Sequence, residues 1–485
     1  MPLALIPWPA AVRELGGPPL RPAPPADPGD RRSLAGLLAA AAHRADDPTI
    51  GAEGYRLRVD ADGVAIAAGD DAGFFYAEQT LAQLIDADAE GPLLPAVEIS
   101  DAPRFPYRGV MLDVARHFHG VETVEAVIDR ASALKLNALH LHLTDDQGWR
   151  LELASHPELA AEGSALSSLG DAGGRYSPAD YRRIVDYAAE RHMIVVPEVD
   201  LPGHTHALGL SHPELVADPV VTDLMREVHD LFPGQGELPR RGAPYVGMAV
   251  GFSSLRADAP GLEPFLRDVL GEIAAMTPGP YLHFGGDEAL GTPPGEYHAM
   301  VSLAARIVTE TGKTPIAWHE AGEADLPPGT VGQYWGYVTP TEGHDDSARA
   351  FVSRGGRIIL SPANAIYLDM KYDDETPVGL TWADGPTSVE RSYRWDPADV
   401  VAEVPESAIL GIEAPMWTET VRDLADIDLL MFPRVCSAAE AGWSPRLGST
   451  PQRSWEAFRE RVARMAPLWA EAGIGFHRAA GIAWR

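Results

Sequence analysis

The sequence predicts an α/β fold: a (β/α)8 barrel over residues 104–485, preceded by a small N-terminal α+β domain over residues 1–103. Three observations predict it. Beyond residue 104, eight short apolar runs alternate with amphipathic segments, the signature of repeated βα units. Polar and aromatic residues gather just after the ends of those runs, where the loops of such a barrel carry chemistry. The first hundred residues instead show a hairpin and one helical pattern.

The hairpin is GYRLRVDADGVAIAAGDD, Gly54 to Asp71, which alternates apolar and polar residues around a DG turn. Helical spacing follows from Gly73 to Ile85. The Pro/Gly-rich stretch 16–28 reads as an ordered surface loop between folded segments. Two prolines in residues 99–109 mark the boundary between the domains. The eight barrel strands are expected near Gly109–Val114, Ala138–Leu143, Ile194–Val199, Tyr281–Phe284, Pro315–Trp318, Val331–Trp335, Arg357–Leu360 and Ala408–Ile412. Helical patterns at Val124–Leu136, Pro178–Arg191, Leu262–Met276 and Tyr297–Thr311 separate some of them, and Ser454–Ala470 closes the chain. Residues 200–255 form a long connection of the kind that usually serves function.

Composition narrows the function classes. Lys and Arg number 39 against 70 Asp and Glu, a formal net charge of −31, the opposite of a nucleic-acid footprint. The single cysteine, Cys436, permits no intramolecular disulfide. No window holds about 18 uninterrupted apolar residues, so no membrane helix is expected. The start, MPLALIPWPAAVREL, lacks a basic n-region and carries three prolines, so it is not read as a signal peptide. The expectation is a cytoplasmic protein, with secretion left open and no cofactor or metal.

Asp287 and Glu288 follow two glycines at the end of the fourth run. Neighbouring carboxylates cannot easily flank one glycosidic bond, because paired catalytic acids stand about 5–9.5 Å apart across the sugar. They suit a division of labour: one protonates a leaving oxygen and the other supports a group beside it. Asp145 and His204 end two other strands and could tune that acid, a carboxylate holding an imidazole that faces it. Asp146 would brace the same loop. Trp318, Trp335, Trp382 and Trp417 all fall in the expected top-face segments, where indole planes can stack on sugar rings. Trp395, Trp443 and Trp455 are read as structural.

The blocks RGVMLDVARHF, LHLTDDQGWR, VVPEVDLPGHTHA, VGFSSL, YLHFGGDE, QYW, YLDMKY, GLTW and EAPMWTE run in order from Arg108 to Glu419. With them the chain resembles glycoside hydrolase family 20, the β-N-acetylhexosaminidases, particularly the bacterial two-domain forms. The resemblance implies a retaining, substrate-assisted reaction in which the sugar's acetamido oxygen attacks its own anomeric carbon. It implies Glu288 as general acid and then base, Asp287 orienting the acetamido N–H, and Tyr367 bonding its oxygen. Trp318, Trp335 and Trp417 would enclose the methyl group and sugar face. Arg108, Asp369 and Glu419 would hold the hydroxyls, Trp382 would stack on the next sugar, and Asp145 and His204 would support Glu288. The implied substrate is an oligosaccharide or glycoconjugate ending in N-acetylhexosamine; the oligomeric state is not implied. Residues 220–243 depart from the bacterial pattern as an insertion, expected to border the aglycone side.

Two other readings compete. His140 and His142, with His204, His206 and Asp287, could form a hydrolytic metal site, although alternate positions of a buried strand explain the first pair equally well. A silent sugar-binding protein would need the acid lost, yet Glu288 is present.

Overall fold

A computed structural model describes residues 3–23, 31–231 and 236–484. Residues 24–28 of the predicted Pro/Gly loop lie outside the described residues. Its earlier part runs beside the N-terminal domain, where the backbones of Leu20 and Leu94 pair.

The N-terminal sheet has five strands in the order Ala11–Glu14, Val97–Asp101, Tyr55–Asp60, Gly63–Ala68 and His43–Asp46. Along Tyr55–Asp60 the period-two pattern buries Tyr55, Leu57 and Val59 and turns Arg56 and Arg58 outward. The buried face joins one apolar core with residues of the helices Arg31–Ala41 and Asp71–Leu84. Asp70 starts the second of these helices by accepting from the Gly73 amide at 2.8 Å.

The barrel closes through eight parallel strands. They are Tyr107–Asp113, Ala138–His142, Ile194–Glu198, Tyr281–His283, Thr314–Trp318, Val331–Tyr334, Ile358–Leu360 and Ile409–Met416, each overlapping one expected run. The predicted helices also form, at Val121–Ser132, Pro178–Ala189, Leu262–Met276, Pro294–Glu310 and Trp455–Glu471. Ser177 begins the second with a reciprocal capping box to Asp180. Among the described residues, no helix is long and apolar enough to cross a membrane.

Tyr107, Ala138, Val196, Ile316, Val331, Ile359 and Leu410 form one buried apolar cluster, all at the N-terminal ends or middles of their strands. Farther along the strands, toward their C-terminal ends, come His140, His142, Glu198, His283, Gln333 and Glu413, all without solvent exposure. The second strand shows the alternation: Leu139 and Leu141 join the large core shared with the helices, while His140 and His142 bond interior carboxylates.

Arg108 corrects one sequence expectation. It lies near the N-terminal end of the first strand, fully buried, and its guanidinium bonds Glu53 of the N-terminal domain at 2.7 and 3.1 Å. It also donates to the carbonyls of Phe105 and Lys135. The substrate loops leave the opposite end of that strand, so Arg108 joins the domains and holds no sugar hydroxyl. Nearby, Asp101 accepts from Lys135 Nζ at 2.9 Å, Trp443 Nε1 at 3.0 Å and Tyr55 at 2.8 Å. Arg116, eight residues on, stands beyond that strand's C-terminal end instead.

Replacing Arg108 by Met should therefore lower stability by about 2–4 kcal/mol, the scale of a broken buried ion pair whose partner keeps some water. KM and kcat should stay within about twofold. A large rise in KM without a fall in Tm would return Arg108 to the substrate.

Candidate active site

The fourth strand ends in Gly285-Gly286-Asp287-Glu288, a turn built from left-handed residues: φ is 72° and 103° at the glycines and 46° at Glu288. Gly285 is required there, because a Cβ would come within 1.6 Å of Asp200 Oδ1. A non-glycine residue at positive φ stores strain, and strain of this kind gathers at functional sites. The turn separates the two acids. Asp287 is buried, whereas the Glu288 side chain keeps about a third of its surface exposed to the cavity.

Behind Glu288 stands His204, also at positive φ, with Nε2 3.4 Å from Glu288 Oε2 and 3.8 Å from Asp287 Oδ2. His204 Nδ1 lies 3.1 Å from Asp145 Oδ1. Asp145 Oδ2 in turn meets Arg116 at 2.9 Å and His142 Nε2 at 2.7 Å. Against the burial that would raise it, Arg116 and then His204 hold Asp145 far below the usual carboxylate range. Against burial again, Asp145 and then Asp200 raise His204 well above a free imidazole. Asp146 braces the loop through the His206 amide at 3.0 Å and the Ser253 hydroxyl at 2.5 Å.

The chain of contacts continues downward. His142 Nδ1 bonds Glu198, whose other oxygen accepts from Trp318 Nε1 at 3.0 Å. His140 bridges Glu198 at 3.1 Å and Glu413 at 2.8 Å. Despite burial, Glu198 lifts His142 to about 9, and Glu413 with Glu198 lifts His140 to about 10. Both shifts favour the protonated rings, each lying between two carboxylates. His140 is committed to those two acids, and His206 Nε2 turns to the Ala243 carbonyl at 2.8 Å. The five-residue metal site weighed from sequence does not converge.

The cavity in front of Glu288 measures about 470 Å³, within the range of small-ligand sites. Trp335, Tyr367, Trp382 and Trp417 form one wall. Trp382 lies edge-on to Trp335 at 6.0 Å and to Tyr367 at 5.8 Å, and is 47% exposed. Trp335 Nε1 is held by Glu320 at 3.0 and 3.1 Å. Trp318 differs from expectation: it is wholly buried and packs beneath Trp417 at 5.9 Å, so it supports the aromatic wall from behind. Arg116 lines the cavity with its guanidinium 4.8 Å over the Trp417 ring.

Several buried acceptors here make no well-formed hydrogen bond among the described residues, although the backbone of Asp369, Trp417 and Glu419 stabilises some of them in part: Asp287 Oδ1, both oxygens of Asp369, and Glu419 Oε2. Burial raises Asp287 to about 6 and Glu419 to about 7, and burial with the Glu419 charge pushes Asp369 well above the carboxylate range. Such groups suit a ligand rich in hydroxyl and amide donors.

Asp145, His204, Asp287, Glu288, Trp335, Tyr367, Asp369, Trp382, Trp417 and Glu419 thus stand in or immediately around one cavity. Sequence reasoning missed Arg116, Glu198 and Glu320, and weighed His142 only as a metal ligand or a buried strand position. Arg116 carried a signal, since it follows the end of a strand, whereas Glu198 and His142 looked like ordinary buried strand positions. Within residues 220–243, expected from sequence to be an insertion, lies the helix Asp223–Leu231, and its Val228 lines the cavity with Met248 and Val250.

Comparison with known proteins agrees with this geometry. Residues 105–299 and 294–446 match the glycosyl hydrolase family 20 catalytic domain, and residues 20–102 match domain 2 of that family. A beta-N-acetylhexosaminidase of Cellulomonas fimi is 39% identical over 441 residues, covering 90% of this chain and 83% of that protein. A solved family 20 beta-N-acetylglucosaminidase shares 52% identity over the full length of both chains, with a TM-score of 0.92. The beta-N-acetylhexosaminidase of Streptomyces coelicolor A3(2) superposes with a TM-score of 0.86 at 39% identity, covering 99% of each chain. A two-part chain of this kind, with a closed barrel and its acids at the fourth strand's end, belongs to glycosyl hydrolase family 20 and is a glycoside hydrolase.

Proposed function

We propose that the chain is an exo-acting, retaining β-N-acetylhexosaminidase that removes terminal non-reducing N-acetyl-β-D-glucosamine from oligosaccharides or glycoconjugates. The observation that carries the reading is the pairing of Asp287 with Tyr367 at a tryptophan wall. A buried acceptor and a buried hydroxyl donor open on the same cavity, which suits the N–H and C=O of one acetamide.

In this reading the acetamide oxygen attacks C1 as the C1–O bond breaks. The Glu288 carboxyl gives its proton to the departing oxygen. Positive charge spreads over the oxazolinium, and its N–H faces the Asp287 carboxylate. Water then attacks C1 from the vacated side and passes a proton to Glu288. The ring opens, so the sugar is released with its configuration retained. An internal nucleophile carries an effective molarity of about 10⁵ M or more, so the protein need only fix the acetamide and manage one proton. Asp369, Glu419 and Arg116 would hold the hydroxyls at the closed end. Trp382, exposed at the mouth, would stack on the next sugar.

Aryl 2-acetamido-β-glucosides should be cleaved at least about 10³-fold faster than plain β-glucosides, and Glu288→Gln should abolish turnover of poor leaving groups. Comparable rates on both sugars would refute the mechanism. Asp287 must be ionised to face the cation, so kcat/KM should fall as pH drops through about 6. Asp287→Asn should lose more than about tenfold and flatten that limb; a variant retaining the limb would assign it to another group. Replacing the insertion helix Asp223–Leu231 by a short Gly/Ser linker should change the ratio of kcat/KM for long and short substrates several-fold. An unchanged ratio would place the helix outside the aglycone side.

A further inference from the structure

Outside the cavity already described, two histidines converge on one carboxylate. His156 stands at the start of the helix Pro157–Gly163, Glu158 lies in its first turn, and His212 follows the helix Leu208–Ser211. Glu158 Oε1 is 3.4 Å from His156 Nδ1 and 3.2 Å from His212 Nε2. The three side chains offer ligand atoms that all lie within 4.8 Å of one another. With Zn–N and Zn–O bonds of about 2.0–2.1 Å, the edge of a tetrahedron is about 3.3 Å, which both spacings match.

The surroundings complete the pattern. Metal-bound imidazoles are normally held through their other nitrogen. His212 Nδ1 has the Ser211 hydroxyl at 2.9 Å, and Asp268 Oδ2 lies 3.5 Å from His156 Nε2. That Nε2 is buried without a hydrogen-bond partner. If a neutral His156 places its proton on Nδ1 to bond Glu158, a bare lone pair on Nε2 faces Asp268. A cation bound at Nδ1 would move the proton to Nε2 and aim it at Asp268. Phe265 packs on both rings at 4.8 and 5.0 Å and keeps them in place.

We propose that His156, Glu158 and His212 bind one divalent transition-metal ion of the zinc class, with the fourth position left to water. The donor set, two imidazoles and a carboxylate, selects Zn²⁺, Co²⁺ or Ni²⁺ over Ca²⁺ and Mg²⁺. The ion would join the helix Pro157–Gly163 to the segment that runs on from His204, and so stiffen the barrel wall behind that histidine. The proposal is independent of which glycoside is hydrolysed.

The test uses chelator-treated full-length protein without a histidine tag. Titration with Co²⁺ should show one equivalent bound, with the strong visible absorption of a four-coordinate ion, and Zn²⁺ should displace it. His156→Gln and His212→Gln should each weaken binding at least about 100-fold, and Asp268→Asn about 10–100-fold. Zn²⁺ should raise Tm in the wild type but not in His212→Gln. Binding only at millimolar metal would overturn the proposal. So would tight binding that these substitutions leave unchanged, which would place the ion at another group such as Asp145, Asp146 and His204.

Discussion

Balancing charge inside a closed barrel is the constraint on which the rest depends. Glu198 and Glu413 are fully buried, and an unpaired carboxylate at such a site would cost several kcal/mol. The barrel answers with the imidazoles of His140 and His142, whose pKa values the carboxylates raise, and with Trp318, Gln333 and Tyr107 as further donors. One carboxylate therefore reaches both halves of the site. Through His142 and Asp145, Glu198 fixes the support of Glu288; through Trp318 it fixes the ring beneath Trp417. Because a half-satisfied polar network is worse than an apolar core, its members are held together as a set.

The two ends of the first barrel strand divide stability from function. Arg108 and Arg116 are the same residue type in one short block, eight positions apart. The first is tied to Glu53 and two carbonyls at the domain junction; the second bonds Asp145 and covers Trp417 in the cavity. Strand direction alone distinguishes them, since the loops that shape a barrel's site leave the C-terminal ends of its strands.

The same contrast explains what could be read from the sequence. The strands were legible because each is a short apolar run closed by Gly, Pro or polar residues, and the acids because they follow Gly285 and Gly286. Assigning Arg108 to the sugar followed the motif and overlooked the strand's polarity, which favoured Arg116. His140 and His142 were correctly weighed as alternate positions of a buried strand, but their partners Glu198 and Glu413 lie 56 and 273 residues away, and spacing gives no sign of such pairing. Trp318 was placed at a strand end correctly. Its orientation depends on the hydrogen bond to Glu198, so sequence position could not tell a supporting ring from an exposed one.

Burying acids whose oxygens are not fully hydrogen-bonded is costly, and the cavity does so at Asp287, Asp369 and Glu419 together. Each such group costs about 1–3 kcal/mol while unsatisfied, a penalty that a well-packed apolar wall would avoid. The surrounding scaffold can sustain it because the charged layer below is paired and the barrel beneath that is packed with apolar side chains. Raised pKa values are the outward sign of this arrangement: burial has made the ionised forms expensive. A ligand bearing hydroxyl and amide donors regains that free energy on entry, whereas a ligand without them leaves the acids bare. Selectivity for such a ligand follows from the fold's own unsatisfied groups, because rejecting a molecule that lacks a donor needs no added clash when the acceptor is already buried and waiting.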